Sequence, residues 1–511
     1  MPRLAAPRVT CLTLAITTMA SVAMAQTAAS LKAAAATITP ADVARRVGII
    51  ADDSMLGRDT PSRGLELTAA YVAAQFKKFG LKPGGEKGTW FQRYAIERKK
   101  TDLPGSKATF TAESENLSVD LTRDARYVYG GIPGHAVTAP TYLVGGPITV
   151  EAVKALDTKG KLVLVVLDYS KPLSTEIQQA LNVLTGQKPT GMVLISNRDS
   201  AVFAQRVAGQ GQERTGMQGD DEDTVPVIEV HERALGKLLA QAGVNPAEIR
   251  TATTLISRPL PALQISLDLR EITLSAASAP NAIGILEGSD PVLRKEYIVY
   301  SAHMDHIGIT PGKPDSINNG ADDDGSGSTG VMELAEAYST SGVRPKRSVI
   351  FMTVSGEEKG LWGSAYYTAH PTVPIGQIVA DLNIDMIGRN WKDTIVAIGK
   401  EHSDLGATLN RVNAQHPELH MTAIDDRWPD ENFYFRSDHF NFARRGVPIL
   451  FFFNGVHADY HQVTDSPDKI DSEKESRILK LLFYLGEDIA NAPARPKWNP
   501  DSYKQIVEVK P

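Results

Sequence analysis

An α/β fold is expected, with a mostly parallel sheet sandwiched by helices and a smaller α/β module inserted into it. Three observations point there. After about residue 257, apolar runs near 297–301, 348–354, 378–384 and 449–453 alternate with helix-length segments, the pattern of a sheet covered on both faces. Between 135 and 256 a second set of apolar runs, 161–167 and 191–195, alternates with helical stretches of its own. At 511 residues the chain is also long for a single core, so two domains are the natural expectation.

Residues 1–25 come first. Arg3 and Arg8 give a positive start, 9–24 is mostly apolar, and Ala23-Met24-Ala25 precedes Gln26 as a small-x-small cleavage site. The segment reads as a secretory signal peptide removed after Ala25. Its apolar stretch is too short and too rich in Thr and Ser for a membrane span, and no later run approaches the ~20 apolar residues such a helix needs. No stable membrane anchor is therefore expected after cleavage. The only cysteine, Cys11, lies inside this segment. A mature chain without disulfides suits a bacterial periplasm or medium, so the protein is expected to be periplasmic or secreted. Loss of Arg3 and Arg8 lowers Lys plus Arg from 54 to 52 against 60 acids, a formal charge of −8. That balance argues against nucleic acid as a partner.

Residues 26–134 read as the N-terminal part of the main domain. Apolar residues recur at helical spacing from Leu65 to Phe76, and Gly80 ends the run. The span 135–256 is expected as the inserted module; its acidic stretch Asp220-Asp221-Glu222-Asp223 reads as a solvated loop rather than a calcium site. Residues 257–511 form the main part of the larger domain and carry the chemistry.

Five metal-seeking side chains stand there in the order His303, Asp323, Glu358, Asp385, His461, with Glu357 just before the third. Two imidazoles and three carboxylates suit a pair of zinc ions, which take nitrogen and oxygen ligands at roughly 2.0–2.2 Å. Sharing Asp323 gives each ion three protein contacts and leaves room for a water, the open position a catalytic site requires. His303, Glu358 and Asp385 each end or directly follow an apolar run, where open α/β sheets bind their ligands.

Each motif has a plainer reading. In His303-Met304-Asp305 the histidine could be a packed core residue, but the aspartate two residues on can accept its second ring N–H and fix the tautomer. Asn318-Asn319-Gly320-Ala321-Asp322-Asp323-Asp324-Gly325 crowds three carboxylates, which is unfavourable without a cation or solvent. It overlaps near-matches to a calcium-binding EF-hand loop and to a dinucleotide fingerprint. Pro311, Gly312, Pro314 and Gly320 forbid the incoming helix an EF-hand needs, and three aspartates would repel a pyrophosphate. Glu357-Glu358 emerges from the apolar run 349–354, and Asp385 sits among Ile384, Met386 and Ile387; a buried acid without a partner would be costly. His457, close to His461, stands as an alternative ligand. There is no His-Glu-x-x-His, no Gly-x-Ser-x-Gly and no cysteine after Cys11, so the corresponding zinc, serine and thiol routes lose support.

Together, His303-x-Asp305, Gly320-Ala321-Asp322-Asp323-Asp324, Gly356-Glu357-Glu358-x-Gly360, Asn383-Ile384-Asp385-Met386, Ser437-Asp438-His439 and Tyr460-His461 resemble the M28 family of zinc aminopeptidases. The resemblance implies a zinc-exopeptidase fold with 135–256 as an inserted protease-associated domain, and two zinc ions per chain. It implies one zinc on His303 and Asp385, the other on Glu358 and His461, with Asp323 bridging, Glu357 as general base and Asp305 supporting the centre. It also implies a non-proline cis peptide just after Asp323. The expected activity is removal of N-terminal residues from peptides, with Trp428, Tyr434 and His439 as candidate substrate-binding residues. A carboxypeptidase on the same scaffold would need cations to grip a free carboxylate, and Arg389, Arg427 and Arg436 are available. A receptor-like binding protein with a lapsed site is the third reading; the complete set of ligands and base speaks against it.

Overall fold

The computed structural model describes residue 26 and residues 28–113, 115–219, 224–312 and 314–508. The segment read as a signal peptide and the acidic stretch 220–223 lie outside them. The chain forms two compact units, one made of the residues up to Tyr94 and from Ser278 onward, the other of Ala95–Ala277.

The first unit is an α/β sandwich. Its strands are β1 (Glu271–Leu286, which enters the unit at Ser278), β2 (Tyr297–His303), β3 (Ser348–Val354), β4 (Ile378–Ile384), β5 (Thr394–Ile398), β6 (Thr422–Ile424) and β7 (Ile449–Phe452). Their order across the sheet is β1-β3-β2-β4-β7-β5-β6. The central pairings β3/β2, β2/β4 and β4/β7 are parallel, whereas β1/β3 and β7/β5 are antiparallel. Every residue of β3 and β4 is buried, as expected of strands covered on both faces.

Alternation along β2 shows the two faces. Tyr300 points one way, where its hydroxyl donates to the carbonyl of Leu482 at 2.7 Å. Val299 points the other way, into a cluster with Tyr367 and Phe442. The first face is covered by α1 (Pro40–Ile50), α3 (Gly325–Thr340) and α6 (Ser472–Asn491). The second is covered by α4 (Trp362–Ala369) and α5 (His439–Ala443). Between α1 and α3 in sequence comes α2 (Arg63–Lys78), the helix expected over 65–76; Ser62 caps its start and Gly80, with φ of +77°, follows its end. The side chains of Thr39 and Asp324 likewise accept backbone N–H groups at the starts of α1 and α3, supplying partners that the helices cannot provide.

The second unit has its own core, built on a six-stranded sheet and a four-stranded sheet. In the larger, Thr141–Gly145, Leu162–Val166, Gly191–Ser196 and Val227–His231 run parallel, flanked by the antiparallel edges Ile256–Pro259 and Ala125–Tyr129. The smaller joins Glu115–Asp120, Lys107–Ala112, Leu263–Asp268 and Ala136–Ala139, all antiparallel. The unit thus extends beyond the expected 135–256 at both ends, because Lys107–Ala112, before 135, pairs with Leu263–Asp268, after 256. Among the described residues no helix is long and apolar enough to cross a membrane.

Candidate metal centre

The parallel strands deliver the site residues at their carboxyl ends. His303 is the last residue of β2, Asp385 follows β4 directly, and Glu357 and Glu358 follow β3 after Ser355 and Gly356. Asp323 precedes α3, and His461 lies in the loop after β7.

All five expected ligands come together. Asp323 Oδ1 lies 3.3 Å from His303 Nε2, and Asp323 Oδ2 lies 3.1 Å from His461 Nε2. His303 Nε2 is 3.7 Å from Asp385 Oδ1, and His461 Nε2 is 3.2 Å from Glu358 Oε2. Asp323 therefore faces both groups, one oxygen to each. The side chains divide into two sets able to hold an ion: His303 with Glu357 and Asp385, and His306 with Asp323, Glu358 and His461.

The donors converge without satisfying one another. Asp323 Oδ2, Asp385 Oδ1 and His461 Nε2 are buried and have no hydrogen-bond partner. An unpaired buried polar atom costs about 1–3 kcal/mol, so lone pairs aimed at a common point fit a positive ion. Carboxylate oxygen and imidazole nitrogen are the donor set of a divalent metal.

The charges tell the same story. Burial would raise the Asp323 carboxyl, but the imidazoles of His306, His303 and His461 hold it well below the usual carboxylate range. Burial would lower the His461 ring, yet Asp323 and Glu358 lift it to about 10. Burial likewise works against a charged His303, and Glu357 and Asp385 outweigh it. The carboxylates thus create a strong demand for positive charge, which a divalent metal would meet.

Each acid of the crowded loop has its own task. Asp324 turns inward: Oδ2 accepts the backbone N–H of His303 at 3.1 Å, and Oδ1 accepts those of Gly327 at 2.8 Å and Met386 at 3.2 Å. Asp322 Oδ1 accepts the N–H of Gly388 at 2.7 Å, and its Oδ2 lies 3.1 Å from His457 Nε2. His457 is thereby used on Asp322 and is absent from both ligand sets. Asp323 alone faces the centre, joined to Asp324 by a cis peptide bond. Asp465 supports the turn from behind, accepting the N–H groups of Asp322 at 3.0 Å and Asp323 at 3.1 Å.

Arg58 ties the loops together from beneath. Its guanidinium is fully buried and donates to the carbonyls of Met304 at 2.8 Å, Ile50 at 3.0 Å and Gly320 at 2.8 Å. Gly57 beside it has φ of +66°, and an added Cβ would meet the carbonyl oxygen of Gly308 at 2.4 Å. Only glycine fits there.

Asp305 differs from expectation. The acceptor for His303 Nδ1 is the main-chain oxygen of Asp305 at 3.2 Å, while its carboxylate stands 3.8 Å away. The carboxylate instead accepts the Glu357 N–H at 3.2 Å and the Thr60 hydroxyl at 3.0 Å, and Thr60 Oγ1 in turn accepts the Gly356 N–H at 3.1 Å. Burial pushes the Asp305 carboxyl up to about 6. The residue clamps the turn that carries Glu357 and Glu358.

A cavity of ≈ 50 Å³ opens onto the centre, with Met386, Phe433, Phe451, Phe453, Val456 and Tyr460 as its apolar lining. Glu357 and Arg436 also border it. The three candidate substrate residues are not among the lining. Trp428 stands behind the wall, edge-on to Phe433 and Phe453 and stacked on Trp391. Tyr434 is buried against His402 and His439. His439 stacks on Phe451, with Nε2 2.8 Å from the Tyr434 carbonyl. They support the pocket wall; Phe433, Phe451 and Phe453 form its surface. Sequence reasoning also passed over His306, adjacent to Asp305 and three residues past His303, and gave no role to Ser437, whose hydroxyl donates to Asp385 Oδ2 at 2.9 Å.

Residues 281–486 match the model of peptidase family M28, a span containing every residue of both ligand sets. The chain is similar to leupeptin-inactivating enzyme 1 of Streptomyces exfoliatus, 28% identical over 247 residues that cover 47% of this chain and 51% of that protein. It is also similar to aminopeptidase YwaD of Bacillus subtilis (strain 168), 27% identical over 231 residues covering 43% and 47%. The chain spans about half the length of these curated relatives. Among solved structures, an aminopeptidase from Aneurinibacillus sp. strain AM-1 aligns over 91% of this chain and 97% of its own at 17% identity and a TM-score of 0.45. The likeness to peptidase family M28 thus falls on residues 281–486, the part of the chain that holds the whole candidate centre.

Proposed function

We propose that the protein is a secreted metallo-aminopeptidase that removes N-terminal residues from peptides at a centre of two zinc ions. The observation that carries this reading is the placement of Asp323, with one carboxylate oxygen toward His303 and Asp385 and the other toward His461 and Glu358. His303 and Asp385 would hold one ion, Glu358 and His461 the other, with Asp323 shared. Relatives named as aminopeptidases and zinc metalloproteases support the choice of reaction and metal. When bound, such ions lower the pKa of a water in the centre and polarise a carbonyl.

The chain's own residues supply the rest. Glu357 borders the cavity, and burial pushes its carboxyl well up, partly countered by His303. It is placed to take the proton of the attacking water and return it to the leaving amine. The clamp from Asp305 and Thr60 fixes the backbone from which Glu357 projects. Ser437 orients Asp385, and the Asp305 carbonyl fixes the His303 ring. The aromatic floor formed by Phe433, Phe451 and Phe453 suits an apolar side chain at the cleaved residue. The unit Ala95–Ala277 would serve as an accessory module of the protease-associated kind.

One observation favours a second reading. Of the three arginines considered, Arg389 is paired with Asp459 at 2.9 Å and Arg427 lies over Trp391, whereas Arg436, over Phe433 and 3.6 Å from Glu431, borders the cavity. A cation there could grip a C-terminal carboxylate. Peptides blocked at one end or the other separate the two: cleavage only with a free amine supports the aminopeptidase, and cleavage only with a free carboxylate refutes it.

A further inference from the structure

His306 is the one imidazole in the centre for which the five-ligand scheme has no use. Its ring is fully buried, edge-on to that of His461 at 5.6 Å between centroids. Nδ1 lies 2.9 Å from Glu358 Oε1, and Glu358 Oε2 lies 3.2 Å from His461 Nε2. The two oxygens of Glu358 are thus divided between two histidines. His306 Nδ1 is 3.6 Å from Asp323 Oδ2, too far for a hydrogen bond.

Two roles could account for that placement, fourth metal ligand or hydrogen-bond donor to a ligand. A histidine that binds a metal through one nitrogen almost always donates its other ring N–H to an acceptor. His303 obeys this rule, with Nδ1 on the carbonyl of Asp305. His306 does not, because its Nε2 is buried with no hydrogen-bond partner. A bare Nε2 lone pair is the less costly state, and it leaves the proton on Nδ1, 2.9 Å from Glu358 Oε1. The contact therefore has the geometry of an N–H to carboxylate hydrogen bond.

We infer that His306 is a positioning residue: its Nδ1–H holds Glu358 Oε1 so that only Oε2 is presented to the ion shared with His461 and Asp323. The inference rests on the two-metal reading proposed above. The backbone makes the position rigid. Gly320, with φ of +58°, lies so close that an added Cβ would meet the His306 ring at 2.6 Å, and the N–H of His306 is 3.3 Å from the Arg58 carbonyl. The ring is wedged where it can aim one nitrogen at one oxygen.

The test is Zn²⁺ binding by competition with a chromophoric chelator, on the full chain and on the variants His306→Ala, His306→Asn and His306→Gln. An asparagine amide can place its nitrogen near the Nδ1 position of histidine, whereas glutamine reaches toward Nε2. The expected result is two ions on the unaltered chain and a loss of about 10- to 100-fold in affinity at one position in His306→Ala. Near-complete recovery is expected in His306→Asn, but not in His306→Gln. Equal loss in all three variants would make His306 a ligand and overturn the inference; unchanged affinity in His306→Ala would overturn it too. Should His306→Ala not fold by circular dichroism, the contrast between the Asn and Gln variants decides alone. Failure of the unaltered chain to bind two ions would instead refute the underlying two-metal reading.

Discussion

Replacing Asp305 with alanine isolates the clamp from the candidate metal ligands beside it. The buried carboxylate holds two donors, the Glu357 N–H at 3.2 Å and the Thr60 hydroxyl at 3.0 Å, the second relaying to the N–H of Gly356. Each buried donor left without a partner costs about 1–3 kcal/mol, so two give about 2–6 kcal/mol. The carboxyl itself is strained by desolvation, lifted to about 6, and removing it returns part of that cost. A net loss of about 1–4 kcal/mol is therefore expected, read by urea unfolding of metal-free protein so that ion binding does not mask it. The His303 ring should be unaffected, because its acceptor is the main-chain oxygen of residue 305, which alanine keeps. Metal content should hold while turnover falls, since the backbone carrying Glu357 is no longer pinned. A loss below about 1 kcal/mol would refute the clamp, and loss of the ion beside His303 would show that the carboxylate holds that ring.

Glu357→Gln is expected to keep both ions and lose about 10²- to 10⁴-fold in turnover, measured by steady-state kinetics alongside metal analysis; retained hydrolysis would remove the general base. Asp323→Ala should lose metal from both positions, and two ions found by elemental analysis would contradict the shared carboxylate. Asp381 offers a pH test away from the ligands. Burial pushes its carboxyl up to about 8 against an ordinary value of 3.8, with only the Ser301 hydroxyl donating to Oδ1 at 2.7 Å. The folded chain keeps this proton where the unfolded chain has lost it, so the contribution falls as pH rises from about 4 to 8, by at most about 1.4 kcal/mol per pH unit. Asp381→Asn should flatten that slope in unfolding curves taken across the range, and an unchanged slope would exclude the assignment.

What could be read from the chain follows from how each element is buried. β2, β3, β4 and β7 are near-continuous apolar runs because helices cover both faces, and they were legible. The strands Lys107–Ala112 and Glu115–Asp120 alternate more and less buried residues and carry Lys, Thr, Ser and Asn on their open side. Lys107–Ala112 pairs with Leu263–Asp268, some 150 residues away in sequence, so the edges of the second unit escaped notice. The candidate ligands were visible because an acid or imidazole at the end of an apolar strand has few structural uses. The allotment of tasks within Asp322-Asp323-Asp324 was not, since it depends on which backbone N–H groups the fold brings within reach. His306 was hidden by its neighbour: Asp305 next to a strand-end histidine reads as the partner, and only the folded turn shows a second imidazole on Glu358. Trp428 and Tyr434 were drawn to the pocket by their chemistry; in the fold Trp428 stands behind Phe433 and Phe453, and Tyr434 is buried against His402 and His439.

Anomalous diffraction at the zinc edge from zinc-soaked crystals tests the central claim most directly. The account predicts two peaks, one beside His303 and Asp385, the other beside Glu358 and His461, with the carboxylate of Asp323 touching both. A single peak, or two peaks of which only one contacts Asp323, would contradict it.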